Sequence, residues 1–70
     1  MAKINYEKIE EQLEVLLAQN VISEWRLLTP GQYRLNESVD IYPKHKRWFS
    51  VETKERGEYK DLEDFLRILF

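Results

Sequence analysis

The spacing of the apolar residues changes twice along the chain, and this change limits the possible folds more than any other feature of the sequence. Near the amino end the apolar residues recur every three to four positions, at Ile9, Leu13, Leu16 and Leu17. This is the period of an amphipathic helix. Between residues 24 and 51 apolar and polar residues alternate, as in a strand with one buried face. Because the helical period returns in residues 61–70, the sequence predicts a helix, an antiparallel sheet and a second helix.

Polar residues mark the ends of both predicted helices. Asn5 is a suitable N-cap for the first helix, and Asn20 is a suitable stop after its last turn. Asp61 and Asp64 are placed as a capping pair at the start of the second helix. The apolar face of that helix consists of Leu62, Phe65, Leu66 and Leu69.

Turn residues divide the middle of the chain into strands. The connector Thr29–Gln32 has proline second and glycine third, where a type II turn needs a fixed φ and then a positive φ. A third strand ends at Pro43, which lacks the donor that a central ladder requires. A fourth follows the short connection 44–46. The segment 36–38 is either a turn or a bulge, so the sheet has three strands or four. A polar loop that bends at Gly57 is expected before the second helix.

Alternation in the third and fourth strands predicts which side chains face the helices. The apolar set expected to face inward is Val39, Ile41, Phe49 and Val51. On this assignment, Tyr42 and Trp48 lie on the opposite, open face of the sheet. A tryptophan on the open face of a small sheet is a candidate contact for another molecule.

The fold class that follows is α+β, with the order α-β-β-β(-β)-α and one domain over residues 1–70. Each helix has one apolar face and the sheet has one to cover, so both helices are expected on the same face of the sheet. A chain this short buries only ~60% of the surface that its unfolded form exposes. A deep internal active-site cavity is therefore not expected.

The composition argues against catalysis. The chain has no cysteine and one histidine, which leaves no thiolate ligand, no cysteine nucleophile and no histidine pair for zinc. That histidine, His45, lies between Lys44 and Lys46 in an expected turn. We therefore predict a protein that is not an enzyme, with no cofactor, no metal and no small-molecule substrate. A remote alternative is a small ribonuclease that uses His45 and the nearby lysines.

The polarity of the chain also predicts where it acts. No apolar run approaches the ~18 residues that a membrane span needs. The first twelve residues are too acidic and too polar for a secretory signal. With no cysteine to form disulfides, the chain is expected to be cytoplasmic and to have no membrane partner.

Charge is unevenly distributed, although its sum is only −2. Residues 41–60 carry six Lys/Arg against three Glu, whereas residues 1–20 carry two Lys against four Glu. The positive charge thus coincides with the aromatic residues of the third and fourth strands. The residues expected to bind another molecule are Arg34, Tyr42, Lys44, Lys46, Arg47, Trp48, Lys54 and Arg56.

This basic, aromatic hairpin, residues 42–57, has three interpretations. Phosphate contacts and base stacking would make it a nucleic-acid surface. The acidic helices and the negative net charge favour a protein partner instead, and we expect a protein rather than nucleic acid. In the purely structural interpretation, aromatic pairs stabilise the sheet, Lys and Arg protect its edge, and a second copy of the chain covers the open face as a homodimer.

Residues 33–66 resemble a pattern found in small proteins of bacteriophages, prophages and other mobile elements. In that pattern an Arg-Leu strand precedes an Asp-aliphatic-Tyr-Pro strand, a basic turn leads into an aromatic residue, and Arg-Gly precedes a short final helix. The matching positions are Tyr33–Leu35, Val39–Pro43, Lys46–Trp48, Arg56, Gly57, Tyr59 and Leu62. The resemblance implies an accessory protein of a phage or mobile element, and it carries no catalytic residue over to this chain.

The helix–sheet–helix order is also similar to the double-stranded RNA-binding architecture. The last helix of that family begins with a run of lysines. Here the corresponding residues are Asp61–Asp64, which carry three acids. This departure argues against the same mode of RNA binding.

Overall fold

The computed structural model describes residues 5–70, which form two helices and five strands in the order α-β-β-β-β-β-α. The helices are α1 (Tyr6–Ala18) and α2 (Leu62–Leu69). The strands are β1 (Trp25–Thr29), β2 (Gln32–Leu35), β3 (Val39–Tyr42), β4 (Arg47–Ser50) and β5 (Arg56–Glu58). They form one antiparallel sheet in which each strand pairs with the next along the chain. The predicted α+β class is confirmed.

Both ends of α1 lie where the polar residues indicated. Asn5 Oδ1 accepts a hydrogen bond from the Lys8 N–H at 3.2 Å, so it satisfies one of the free donors of the first turn. At the other end Asn20 adopts the left-handed region with φ 60°. The Val21 N–H then donates to the Leu16 carbonyl at 2.9 Å. Such a backward bond across an αL residue closes a helix and reverses the chain toward the sheet.

The start of α2 is capped by one aspartate. Asp61 Oδ1 accepts from the Glu63 N–H at 3.0 Å and from the Asp64 N–H at 3.5 Å. Asp64 therefore contributes its backbone donor to the cap. The helix buries Leu62 and Leu66 against the sheet.

Both helices lie on the same face of the sheet, as expected, and we call this the inner face. On the α1 side, the Tyr33 hydroxyl donates to Glu10 Oε2 at 2.8 Å. On the α2 side, the ring of Phe65 lies 5.6 Å from that of Trp48, between centroids. The core between them contains Leu13, Leu16, Ile22, Tyr33, Leu35, Val39, Ile41, Tyr59, Leu62 and Leu66.

Two short turns connect the first three strands. Gly31, at the third position of the predicted type II turn, has φ +88°, as that turn requires. Between β2 and β3, Asn36 and Glu37 have φ 53° and 56°, and the Ser38 N–H donates to the Leu35 carbonyl at 3.0 Å. Positive φ at both central residues is the signature of a type I′ hairpin turn. The segment 36–38 is therefore a turn and not a bulge.

The sheet has one strand more than the sequence predicted. The segment expected to be a polar loop contains β5, which pairs with β4 through Phe49 opposite Arg56 and Trp48 opposite Gly57. Backbone pairing holds this three-residue strand, whose side chains give no hydrophobic alternation. Gly57 is required by the close approach of Trp48, since a Cβ there would lie 2.9 Å from the indole Nε1.

The assignment of β4 side chains to the two faces was wrong for Trp48 and Phe49. Ile41 lies directly opposite Trp48, and directly opposed residues share a face, so Trp48 faces the helices with the buried Ile41. Asp40 lies opposite Phe49, which places Phe49 on the open face. Val39 and Ile41 face inward as predicted.

The physical reason is the length of the β3–β4 connection. Four residues, 43–46, separate Tyr42 from Arg47, and this spacing sets those two residues opposite each other. A shift of the register by one residue would exchange the faces of every side chain in the strand. Val51, also expected inward, lies in the turn after β4 and is half-buried.

Candidate functional site on the open sheet face

Two rows of directly paired residues form the open face of the sheet. The longer row crosses all five strands through Arg26, Arg34, Asp40, Phe49 and Arg56. The shorter row, next to it, contains Tyr42, Arg47 and Glu58. Directly opposed side chains have Cβ atoms ~4.5–5.5 Å apart. Arginines, carboxylates and two aromatic rings therefore share one surface.

A buried carboxylate organises the middle of the longer row. Asp40 is only 3% exposed and accepts from Arg34 Nε at 2.7 Å and from Arg34 Nη2 at 3.1 Å. Gln32 Nε2 donates to it at 3.0 Å. The hydrogen bond with Asp40 raises the pKa of the Arg34 guanidinium above its ordinary value. The sequence predicted Arg34 as a binding residue. Its guanidinium group already donates two hydrogen bonds to Asp40, so Arg34 is not part of the candidate binding surface.

The β1 end of the face is also self-neutralised. Arg26 Nη2 lies 2.9 Å from Glu37 Oε2, in an ion pair whose side chains are 55% and 52% exposed. Exposed pairs of this kind contribute little to stability. The free positive charge of this face therefore lies at the β4–β5 end.

A depression of about 580 Å³ occupies that end. It is lined by Tyr42, His45, Arg47, Trp48, Phe49, Arg56, Gly57 and Glu58. Tyr42 and Phe49 are half-buried, whereas the two arginines are exposed. Within residues 5–70, neither Arg47 nor Arg56 has a carboxylate oxygen within the 4.0 Å of an ion pair. This is the part of the molecule that combines apolar surface with unpaired guanidinium groups.

The structure divides the predicted binding residues into separate places. Tyr42, Arg47 and Arg56 line the depression together. Lys44 and Lys54 are exposed in the β3–β4 and β4–β5 connections, outside its lining. Trp48 touches the depression, but its ring packs against the core between the sheet and α2. Lys46 lines a different groove on the helix side.

Three residues of the depression were missed or set aside by sequence reasoning. Phe49 was assigned to the core, Glu58 to a loop, and His45 to a turn, where it served only the remote ribonuclease alternative. The length of the connection 43–46 is the signal that would have placed Phe49 correctly, because it determines which β4 residues oppose Asp40 and Tyr42. No comparable signal existed for Glu58, whose strand has no apolar pattern.

The described part of the chain shows neither a membrane-spanning helix nor a metal-binding cluster. Neither of its helices has the length and apolar character needed to cross a membrane. Among residues 5–70, no three His, Cys, Asp or Glu side chains are grouped so that they could hold a metal ion. Comparisons of the chain with known protein families, with curated proteins and with solved structures gave no significant match.

Proposed function

We propose that this protein is a small binding module without enzymatic activity, which binds an acidic segment of a partner protein through the open sheet face. One observation carries the proposal. The two aromatic residues of the depression that lie on the open face each have an arginine as a direct cross-strand neighbour, Phe49 with Arg56 and Tyr42 with Arg47. Arginine and aromatic residues are the types that dominate binding energy at protein interfaces.

The chemistry of this arrangement suits a carboxylate next to an apolar side chain. A guanidinium group binds a carboxylate through two parallel hydrogen bonds, which gives both strength and orientation. Phe49 and Tyr42 supply apolar surface beside the two guanidinium groups. Since Arg47 and Arg56 have no carboxylate partner within residues 5–70, a ligand does not have to displace an internal ion pair.

The acidic residues of the same face favour protein over nucleic acid. Glu58 lines the depression, and Glu37 and Asp40 lie farther along the face. Glu37 and Asp40 are already paired with Arg26 and Arg34, so a phosphodiester backbone along the face would find only two unpaired arginines to attract it, with the carboxylate of Glu58 beside them. A protein segment can place one or two acids against the arginines and neutral groups elsewhere.

The biological setting is part of the proposal. The resemblance of residues 33–66 to small phage and mobile-element proteins supports an accessory role, in which such a protein acts on a host or phage protein. The cysteine-free composition supports a cytoplasmic partner. No catalytic step is needed for an activity of this kind.

Affinity capture with a matched pair of variants tests this proposal. The tagged protein is compared with Arg47→Gln/Arg56→Gln and with Lys44→Gln/Lys54→Gln, which loses the same charge outside the depression. We expect a nuclease-resistant protein partner that binds the wild type and the lysine variant and is lost from the arginine variant. Equal loss from both variants would show that overall charge, and not the depression, drives capture.

Single-stranded nucleic acid is the second candidate partner, because aromatic rings beside arginines also suit base stacking, worth ~1–3 kcal/mol per base. Binding of single-stranded nucleic acid predicts a gel shift at low salt. It also predicts that the logarithm of the affinity falls linearly with the logarithm of the salt concentration, with a slope of ~0.7 for each phosphate contacted. His45 lines the same depression, so the gel-shift experiment also tests whether bound RNA is cleaved. The binding-module proposal predicts intact RNA with both the wild type and His45→Ala.

A further inference from the structure

A second concave site lies on the helix side of the sheet. It is a groove of about 380 Å³ between the start of α1, the β3–β4 turn and the start of α2. Its lining consists of Asn5, Lys8, Ile9, Gln12, Pro43, Lys46, Tyr59, Lys60, Asp61 and Leu62. We call it the lysine groove. Concave sites of a few hundred cubic ångströms are the size that holds small ligands.

Three lysines from separate parts of the chain converge on this groove. Lys8 belongs to α1, Lys46 to the β3–β4 turn and Lys60 to the residues before α2. None of them forms an ion pair with another residue of the described chain. The lining also contains one carboxylate, Asp61, whose Oδ1 accepts from two backbone N–H groups of α2. The groove lining therefore holds three ammonium groups and one carboxylate, an excess of positive charge that attracts an anion.

A buried phenol adds a neutral hydrogen-bonding group to the wall. Tyr59 is 9% exposed, and its ring stacks on Phe65 with centroids 5.4 Å apart. Its hydroxyl forms no hydrogen bond with any residue from 5 to 70, and its backbone N–H donates to the Lys46 carbonyl at 2.9 Å. Burial raises the pKa of Tyr59 to about 12, so the phenol keeps its proton at neutral pH. The phenol is therefore a neutral, accessible group of the groove lining.

We propose that the lysine groove binds a small ligand carrying two linked phosphate groups, such as a nucleoside diphosphate. A diphosphate presents oxygens on two phosphorus atoms, so it can contact more of the three ammonium groups at once than a single phosphate can. The rest of the lining contains the polar Asn5 and Gln12 and three apolar residues, Ile9, Pro43 and Leu62, which suit the organic part of the ligand. The helix N-termini are not needed, because Asn5 and Asp61 already cap them.

This site is independent of the proposed function. The lysine groove and the open-face depression share no lining residue. The sequence predicted no small-molecule ligand, because the three lysines lie far apart along the chain and only the fold brings them together. The basic hairpin seen in the sequence is thus two sites, with Arg47 and Arg56 on one face and Lys46 on the other.

Titration followed by ¹⁵N-HSQC NMR tests the inference with defined probes. Pyrophosphate and ADP are added separately at constant ionic strength, with sulfate as the comparison anion. We expect saturable shifts of the Tyr59 and Lys60 amides with both phosphate probes, and weaker effects with sulfate. Tighter binding of ADP than of pyrophosphate would assign the apolar wall to an organic ligand, and equal binding would assign the site to the inorganic anion.

Matched variants separate a site from general electrostatics. Lys46→Gln/Lys60→Gln should weaken pyrophosphate binding by about tenfold for each lysine lost. The control variant, Lys44→Gln/Lys54→Gln, removes the same charge and also changes one turn residue of positive φ. Because neither of these lysines lines the groove, this variant should bind pyrophosphate as the wild type does. Lys60→Gln alone leaves the turn intact, should still weaken binding, and serves if the double variant unfolds. Absence of saturable binding, or equal weakening in all variants, would overturn the inference.

Discussion

Ile41 and Trp48 lie directly opposite each other on neighbouring strands, and both side chains face the helices. This pairing places the indole over β5 and against Phe65, with ring centroids 5.6 Å apart. It also turns the next residue, Phe49, to the open face beside Arg56. This single pair determines which aromatic residue of β4 lies on the open face.

The first prediction concerns the two adjacent aromatics of β4. Trp48→Ala should lower the free energy of unfolding by about 2–4 kcal/mol, because it removes a large side chain packed against the core. Phe49→Ala should lower it less, since that ring lies on the open face. Urea denaturation of both variants measures the difference, and a larger loss for Phe49→Ala would show that the register of β4 is wrong.

The second prediction concerns the contact between Trp48 and Gly57. A Cβ at position 57 would lie 2.9 Å from indole Nε1 and 3.0 Å from Cε2. Replacing glycine in a strand by alanine is ordinarily favourable, but here Gly57→Ala should cost about 1–3 kcal/mol through overpacking. In a Trp48→Phe background the smaller ring relieves the clash and the same change should cost less. A double-mutant cycle of urea midpoints measures this coupling, and strictly additive effects would exclude the contact.

The third prediction compares the two ion pairs of the open face. Asp40→Asn removes the charge of a carboxylate that is 3% exposed and holds three hydrogen bonds, and should cost about 2–4 kcal/mol. Glu37→Gln makes the same isosteric change in a pair whose side chains are about half exposed, and should cost less than about 1 kcal/mol. Similar thermal stabilities of the two variants would contradict this reading of Asp40.

Alkaline pH provides the fourth prediction. Burial raises the pKa of Tyr59 to about 12, and burial with the hydrogen bond to Glu10 raises that of Tyr33 to about 12, from an ordinary value of 10. Above pH 10 the unfolded chain loses these protons more readily than the folded one. The contribution of the two protonated tyrosines to the free energy of unfolding is therefore complete below pH 10 and is lost as the pH rises through 12. Urea denaturation at a series of pH values measures this fall in the free energy of unfolding, and the variant Tyr33→Phe/Tyr59→Phe should show a smaller fall than the wild type. An equal fall in both proteins would assign the pH dependence to other groups.

Much of the fold could be predicted because its signals are local. Asn5 and Asn20 bound α1, Asp61 caps α2, and Gly31 has the positive φ of its turn, each for reasons contained within a few neighbouring residues. The single-face packing of the helices followed from their apolar stripes. These features do not depend on which strands pair.

What could not be predicted depends on pairing between strands. Trp48 and Phe49 are both aromatic, so alternation in β4 does not show which of them faces the core, and the β3–β4 connection decides it. Arg56–Glu58 has no apolar residue to mark it as a strand, and backbone pairing with β4 is what orders it. The sequence therefore placed Tyr42 on the open face of the sheet, where it lies, but assigned Trp48 instead of Phe49 to that face.

Site-specific photo-crosslinking in producing cells tests the central claim most directly. A benzoyl-phenylalanine crosslinker replaces Phe49 on the open face or, as a control, Ile68, which is 87% exposed on α2. The account predicts a discrete protein adduct from position 49 that Arg47→Gln/Arg56→Gln abolishes, and no such adduct from position 68. The account would be contradicted if both positions gave the same adduct. It would also be contradicted if the crosslinker at position 49 captured nothing except nucleic acid or a second copy of this chain.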